Sequence, residues 1–369
     1  MKPILYVLFV AVLWLPLLQH WTHVFPEKPL SGTYVSHPMP NWTAQGWFDG
    51  SFQKQYDSFM NDTLGFHSSM VYMRNAFCFK VFKQANAQNV VVGKHNYLYE
   101  TDYIEALNGG DYVGMNIIKK KVESVMTLQK RLEKQGKKLV VCLAPSKADF
   151  YPEMIPARMM KPTTDSTNYK QYSRLLKKSG VHVLDFNDWF LKNKNISKYP
   201  LYPQYGIHWS QYAIVLTTDS LISYIESLCD ITLNHIIIDK YVVRKTANSQ
   251  DYDLGSLLNL PKLLVSGYNL CYPQYHWTDD TTLVRPKMIA IADSYFWGPF
   301  NNGLLNNCFT GSFWYYNHTV YPESFTKETI VSDLNVKREL YEADVVLLMM
   351  TTPSLKKFSW GLLEEYAEP

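Results

Sequence analysis

The chain has 369 residues, 47% of them hydrophobic and 19% charged, which is enough apolar material to bury a substantial core in one large domain or two ordinary ones and excludes a disordered chain. Its formal net charge is only +3, with Lys119-Lys-Lys121 the densest cationic cluster, so the clustered cations that nucleic-acid phosphates demand are missing. The five cysteines, Cys78, Cys142, Cys229, Cys271 and Cys308, are odd in number and widely spaced, which argues against a zinc site or a disulfide framework.

The first predicted element is apolar: Lys2 precedes an uncharged stretch from Ile4 to Leu18, followed by Gln19-His-Trp-Thr-His-Val-Phe25 in place of the small residues of a cleavage site. Residues 1–25 therefore read as an uncleaved signal anchor, with Trp21, Val24 and Phe25 extending a short span into the interface. Residues 26–41, rich in Pro, Ser, Gly and His, read as a linker. The single domain expected over 42–369 begins with two helices between Phe52 and Val81, joined by a turn at Asn61-Asp-Thr-Leu-Gly65. Asn89 to Tyr99 reads as a hairpin turning at His95-Asn96, where Asn tolerates a left-handed backbone.

From Asn116 onward helices alternate with short apolar strands. A helix ending at Gly136 feeds Leu139 to Ala144; Tyr169 to Gly180 feeds Val181 to Phe186; Ser210 to Leu228 is a further helix; Met288 to Ala292 and Val345 to Met350 are further buried strands. This alternation predicts an α/β fold with a parallel sheet flanked by helices. Function in such sheets gathers at the carboxyl ends of strands, so the loops after Ala144, around His208 and after Ala292 should converge. Cys142 falls inside a strand and reads as a small core residue.

In the last of those loops the strand runs straight into Asp293-Ser294. Ser294 reads either as a nucleophile beside free backbone N–H groups or as part of an ordinary helix cap. His208, just ahead of a helix that Ser210 can cap, reads either as a general base or as a packed structural histidine. Aromatic residues reach 15%, which suits stacking on sugar rings and a bulky core equally. No metal cluster, phosphate-binding glycine loop or nucleotide fingerprint is present, so no cofactor is expected.

Five segments, in order, resemble the alginate O-acetyltransferase AlgJ/AlgX-like family. They are Trp47-Phe-Asp-Gly50 through Asn61-Asp-Thr-Leu-Gly-Phe66, the hairpin Val90 to Tyr99, Ala144-Pro-Ser-Lys-Ala-Asp-Phe-Tyr-Pro-Glu153, Ile207-His-Trp-Ser210 and Ala292-Asp-Ser-Tyr295. The resemblance implies an SGNH-hydrolase-like (flavodoxin-like) fold with circularly permuted motif order. It also implies acetyl transfer to hydroxyls of an exported or cell-surface polysaccharide in the periplasm, from an inner-membrane anchor, with a membrane-bound O-acyltransferase as the donor partner. Ser294 would be acylated and His208 would take its proton. Lys147 would neutralise an acidic sugar or a developing charge, and Trp209, Tyr295 and Trp297 would form either a sugar platform or a dry wall.

The sequence departs from the family pattern at Gly206, where an aspartate two residues before the histidine is expected. Three readings follow: a Ser-His dyad, a replacement carboxylate, or a lost activity. Asp251, Asp253 and Asp293 are the available acids, and Asp253 is the chosen replacement. Ala292 stands for a glycine and His67 for an arginine. A catalytically impaired glycan-binding or scaffold protein and a carbohydrate acetylesterase remain as alternatives to the transferase.

Overall fold

Ten strands organise the computed structural model, which describes residues 2–32, 36–162, 164–248, 250–261 and 269–366. In chain order they are β1 (Val90–Val92), β2 (Leu98–Glu100), β3 (Lys138–Ala144), β4 (Val183–Asp185), β5 (Ile236–Arg244), β6 (Leu270–Trp277), β7 (Lys287–Ala292), β8 (Thr310–Tyr315), β9 (Thr319–Tyr321) and β10 (Val345–Thr351). The central sheet has the order β4-β3-β10-β7-β8-β9. Its first five strands are parallel, and β9 closes the edge antiparallel to β8. β1 and β2 form an antiparallel hairpin whose loop holds His95 and Asn96 at positive φ, and β5 and β6 form a separate two-stranded ribbon.

β3, β7 and β10 are near-continuous runs of Val, Ile, Leu, Met and Ala because both faces of the sheet are covered. On one face Val141, Leu143, Ile289, Ile291, Leu348 and Met350 pack with Val122, Val125 and Leu128 of the helix Met115–Glu133, with Leu176 of Asn168–Lys178 and with Leu340 of Val336–Glu342. Alternate residues, among them Val140, Cys142, Ala290 and Leu347, are buried on the other face. The helix Gln211–Cys229 buries Ala213, Ile214, Leu221 and Ile225. A Cβ at Gly298 would lie 2.9 Å from Ile214, so glycine lets the turn after Ser294 approach this helix.

The contacts divide the chain into two units, Met1–Gln88 with Gly255–Val265, and Asn89–Leu254 with Ser266–Pro369. This division falls at Gln88, whereas composition places its change at Trp42. The first unit contains helices Lys2–Thr22, Ser51–Thr63 and His67–Phe77. Lys2–Thr22 spans about 31 Å at 1.5 Å per residue, close to a hydrocarbon core. Its segment Pro3–Thr22 is long and apolar enough to cross a membrane. The helix stops where the Gln19 side chain bonds both backbone groups of Phe25, at 2.6 and 3.2 Å, so Val24 and Phe25 lie beyond it. Residues 33–35 of the expected linker lie outside the described residues. Elsewhere in residues 26–41 the Glu27 carboxylate accepts from Phe66 N at 2.6 Å, and His37 pairs with Asp62 at 2.6 Å.

Candidate active site

Ser294 opens a short helical turn at the carboxyl end of β7, and the preceding Asp293 fixes that turn. Asp293 Oδ1 accepts from Tyr295 N at 3.1 Å. Its Oδ2 accepts from Thr351 N at 2.8 Å, Thr351 Oγ1 at 2.6 Å and Ser354 Oγ at 2.7 Å. A carboxylate with four donors is satisfied although only 1% exposed, and it ties the serine to the end of β10. Asp293 is therefore committed away from His208. The expectation that several N–H groups of this turn stay free for an oxyanion needs correction. Tyr295 N–H serves Asp293 Oδ1 and Phe296 N–H serves Asp293 O, which leaves that task in this turn to the Ser294 N–H.

The loop carrying His208 is held from three sides. Lys147 Nζ donates to Gln204 O and Gly206 O, each at 2.8 Å, and Leu98 N of the hairpin donates to Gln204 O at 2.9 Å. Tyr295 Oη donates to Ile207 O at 2.7 Å, and Trp209 Nε1 donates to Tyr202 Oη at 2.9 Å. Ser210 caps the following helix by accepting from Ala213 N. The result places His208 Nε2 2.9 Å from Ser294 Oγ.

The other ring nitrogen, Nδ1, lies 2.5 Å from Asp253 Oδ2. A carboxylate only accepts, so Nδ1 carries the proton and Nε2 is left as the acceptor for the serine hydroxyl. Asp253 Oδ1 is itself fixed by Ile207 N at 2.8 Å and Leu254 N at 2.6 Å. Burial opposes the charged imidazole, but the hydrogen bond and charge of Asp253, with the charges of Asp293 and Glu100, outweigh it, so the His208 pKa is raised.

Gly206 explains why the acid comes from elsewhere. A Cβ there would lie 2.7 Å from Pro203 Cγ and 3.0 Å from both C and O of Asp251. The main chain of the Asp251–Asp253 loop occupies the space that an aspartate side chain at 206 would need. Asp251 itself is buried; burial raises its pKa to about 7, with Tyr272 and the Gln211 backbone working the other way. Of the three candidate acids only Asp253 reaches His208.

Lys147 is wholly buried, with burial pushing its ammonium well below the usual lysine range and Asp253 opposing. Its reading as a sugar contact is corrected: the ammonium is consumed by two loop carbonyls, beneath the rings of Tyr97 and Tyr99 at 5.3 and 5.4 Å. Trp209 and Tyr295 are also interior, packed edge-on at 5.4 Å and 85°. Trp297 is half-buried against Phe313 and Tyr321, with ring centroids at 5.0 and 4.7 Å.

Two clefts open onto the Ser294–His208 pair. The smaller, about 350 Å³, is lined by Trp209, Ile214, Tyr295, Trp297 and Gly298 beside Gln250 and Asn301. The larger, about 650 Å³, is lined by Glu100, Asp102, Tyr103, Tyr316, Lys356 and Trp360 among others. Glu100 and the segment after β10 were not singled out from the sequence. A signal existed, since Val345 to Met350 breaks into Thr351-Thr-Pro-Ser354 in the same strand-to-turn pattern as Ala292-Asp-Ser294.

The family model described as SGNH hydrolase-like domain, acetyltransferase AlgX, matches residues 90–285, covering Lys147, His208 and Asp253 and ending before Ser294. Among solved structures the chain is similar to the O-acetyltransferase domain of Pseudomonas putida AlgJ (14% identity, 75% of this chain and 99% of that one, TM-score 0.48). It is also similar to Pseudomonas aeruginosa AlgX (11% identity, 75% and 67%, TM-score 0.48) and to Bacillus cereus PatB1 with a sulfonyl adduct (14% identity, 74% and 99%, TM-score 0.46). No match was found among curated protein sequences. With more than half of its length under that family model and the parallel sheet described above, the chain belongs to the AlgX family of SGNH hydrolase-like acetyltransferases.

Proposed function

We propose that this protein transfers acetyl groups to hydroxyls of an exported or cell-surface polysaccharide through a covalent acetyl-Ser294, with His208 as general base and Asp253 as the acid that orients it. The observation that carries this reading is the continuous hydrogen-bonded line from Asp253 Oδ2 through His208 to Ser294 Oγ. Ser294 Oγ attacks the acetyl carbonyl while Nε2 takes its proton; the tetrahedral intermediate collapses, and the leaving group departs with that proton. A sugar hydroxyl then gives its proton to Nε2, attacks the acetyl carbonyl and releases Ser294, which recovers the proton.

The complete line argues against the scaffold alternative, because a chain that has lost catalysis has no need to supply a carboxylate from a different loop. The apolar helix Lys2–Thr22 supports an anchor in the inner membrane with the site in the periplasm, where a membrane-bound O-acyltransferase would present acetyl groups. The test is to incubate the full chain in detergent with an activated acetyl ester and find the adduct by peptide mass spectrometry. A single acetyl on Ser294, absent in Ser294→Ala and His208→Ala, is expected; an unmodified Ser294 in wild-type protein would refute the reading.

A further inference from the structure

Glu100 is a carboxylate that this mechanism does not use. It ends β2, pairs in register with Val90, is half-buried, and lines the larger cleft together with His208 and Ser294. Among the described residues its side chain makes no hydrogen bond and no ion pair. Lys356, on the same cleft, lies 3.6 Å from Asp102 instead. Burial, and then the charge of Asp253, raise the Glu100 pKa, while His208 works the other way. A half-buried carboxylate with its acceptor sites unfilled fits a ligand rich in hydroxyl donors, such as a vicinal diol.

Across the same cleft stand Tyr316 and Trp360, with ring centroids 5.4 Å apart at 81°. Both sit in left-handed backbone, at φ 51° and 46°, each beside a second such residue, Asn317 at 53° and Ser359 at 60°. Left-handed backbone is unfavourable for Tyr316, Ser359 and Trp360, and persists only where the surroundings hold it. Here Asn317 Nδ2 donates to Trp360 O at 3.2 Å, locking one strained turn to the other. That construction fixes two aromatic rings on the cleft, which suits the apolar face of a pyranose.

We propose that the larger cleft is the acceptor subsite and that it selects an uncharged pyranose, with Glu100 accepting from ring hydroxyls and the Tyr316–Trp360 pair packing on the ring face. The proposal rests on the acetyl-transfer reading for its role but not for its binding. A uronate would bring its carboxylate beside Glu100, and the two lysines on this cleft, Lys356 and Lys357, are exposed where Glu100 is half-buried. Like-charge juxtaposition of this kind rejects the wrong partner.

The test uses the full chain in detergent, as the Ser294→Ala variant so that nothing turns over, titrated calorimetrically with two oligosaccharides of equal length and linkage, one of neutral hexoses and one of uronic acids. The neutral oligomer is expected to bind at least about tenfold more tightly. Glu100→Gln should bring the two affinities within about threefold, and Trp360→Ala should weaken both by a similar factor. Equal or tighter binding of the uronate, or a preference unchanged by Glu100→Gln, overturns the proposal. A thermal melt accompanies each variant, and Glu100→Asp, which keeps the charge, should retain the preference even where Trp360→Ala unfolds. Failure of acetyl transfer itself shows instead as an unmodified Ser294 in wild-type protein, whatever the oligosaccharides do.

Discussion

Replacing Asp253 by Asn tests the site most sharply, because the structure dictates which way the amide must face. In the wild type, Oδ1 accepts from Ile207 N and Leu254 N, and Oδ2 accepts from His208 Nδ1. An Asn keeps its single oxygen on the two backbone donors, since turning the amide round would set NH₂ against two N–H groups. The NH₂ then donates to Nδ1, which moves the imidazole proton to Nε2, the nitrogen that must accept from Ser294 Oγ. Fixing the wrong tautomer in a Ser-His-Asp arrangement costs on the order of 10⁴ in rate, about 5.5 kcal/mol of barrier. The fold should survive, because both backbone donors remain paired. Acylation of Ser294 followed by intact-mass spectrometry against time measures the loss. The residual activity carries a second signature: the active imidazole is neutral and Asp253 helps raise its pKa, so wild-type activity fades as pH falls through a value above the ordinary 6.5, and in Asp253→Asn that acid limb should move to lower pH. An Asn variant acylated within about tenfold of the wild-type rate would refute the role given to Asp253.

Gly206→Ala places a Cβ 3.0 Å from the Asp251 main chain, so we expect a loss of about 1–3 kcal/mol in denaturant midpoint measurements together with slower acylation, as the loop carrying Asp253 is pushed away. Unchanged stability would mean that the loop yields freely. Lys147→Met leaves the Gly206 carbonyl without its lysine donor, a cost of about 1–3 kcal/mol, and leaves Gln204 O with Leu98 N alone; kcat and the melting temperature should fall while KM for the acceptor holds, and a change confined to KM would restore Lys147 as a sugar contact. Asp251 has a pKa raised from 3.8 to about 7, so the folded state holds a proton that the unfolded state has released, and stability declines as pH climbs through that window. At about 1.4 kcal/mol per pH unit the penalty above pH 7 is on the order of 4 kcal/mol. Asp251→Asn should remove this slope between pH 4 and pH 7 in urea titrations, with little change at the acid end.

The sheet was legible because its strands are buried on both faces, and a run such as Leu139 to Ala144 has no other comfortable place. Ser294 and His208 were legible for a related reason: strand ends and the loop before a helix are where a parallel sheet presents side chains. Lys147 was misread because sequence gives no sign of burial, and an isolated lysine is usually exposed. Its partners are two carbonyls some 60 residues away, visible only after folding. Asp253 was one of three candidate acids; its Oδ1 is fixed by backbone N–H groups of Ile207 and Leu254, and those donors have no signature in residue type. The strained pairs Tyr316-Asn317 and Ser359-Trp360 were hidden because only the asparagine favours positive φ.

In the proposed mechanism Asp253 stands in for the acid absent at Gly206, so what catalysis constrains is the place of an oxygen atom, not the residue number that supplies it. The same view bears on whether the acetyl group goes to sugar or to water. The His208 side chain is 32% exposed and that of Asp253 28%, so the reacting groups are open to solvent in the free chain, and closure alone does not exclude water. Discrimination must then come from occupancy. A pyranose held by Glu100 and the Tyr316–Trp360 pair fills the larger cleft, displaces the water that would attack acetyl-Ser294, and brings one of its own hydroxyls to Nε2 in that place. The ratio of transfer to hydrolysis should therefore rise with acceptor concentration and level off as the cleft fills. Trp360→Ala should shift that rise to higher concentration. A ratio indifferent to acceptor would mark the protein as an esterase whose larger cleft binds something other than the second substrate.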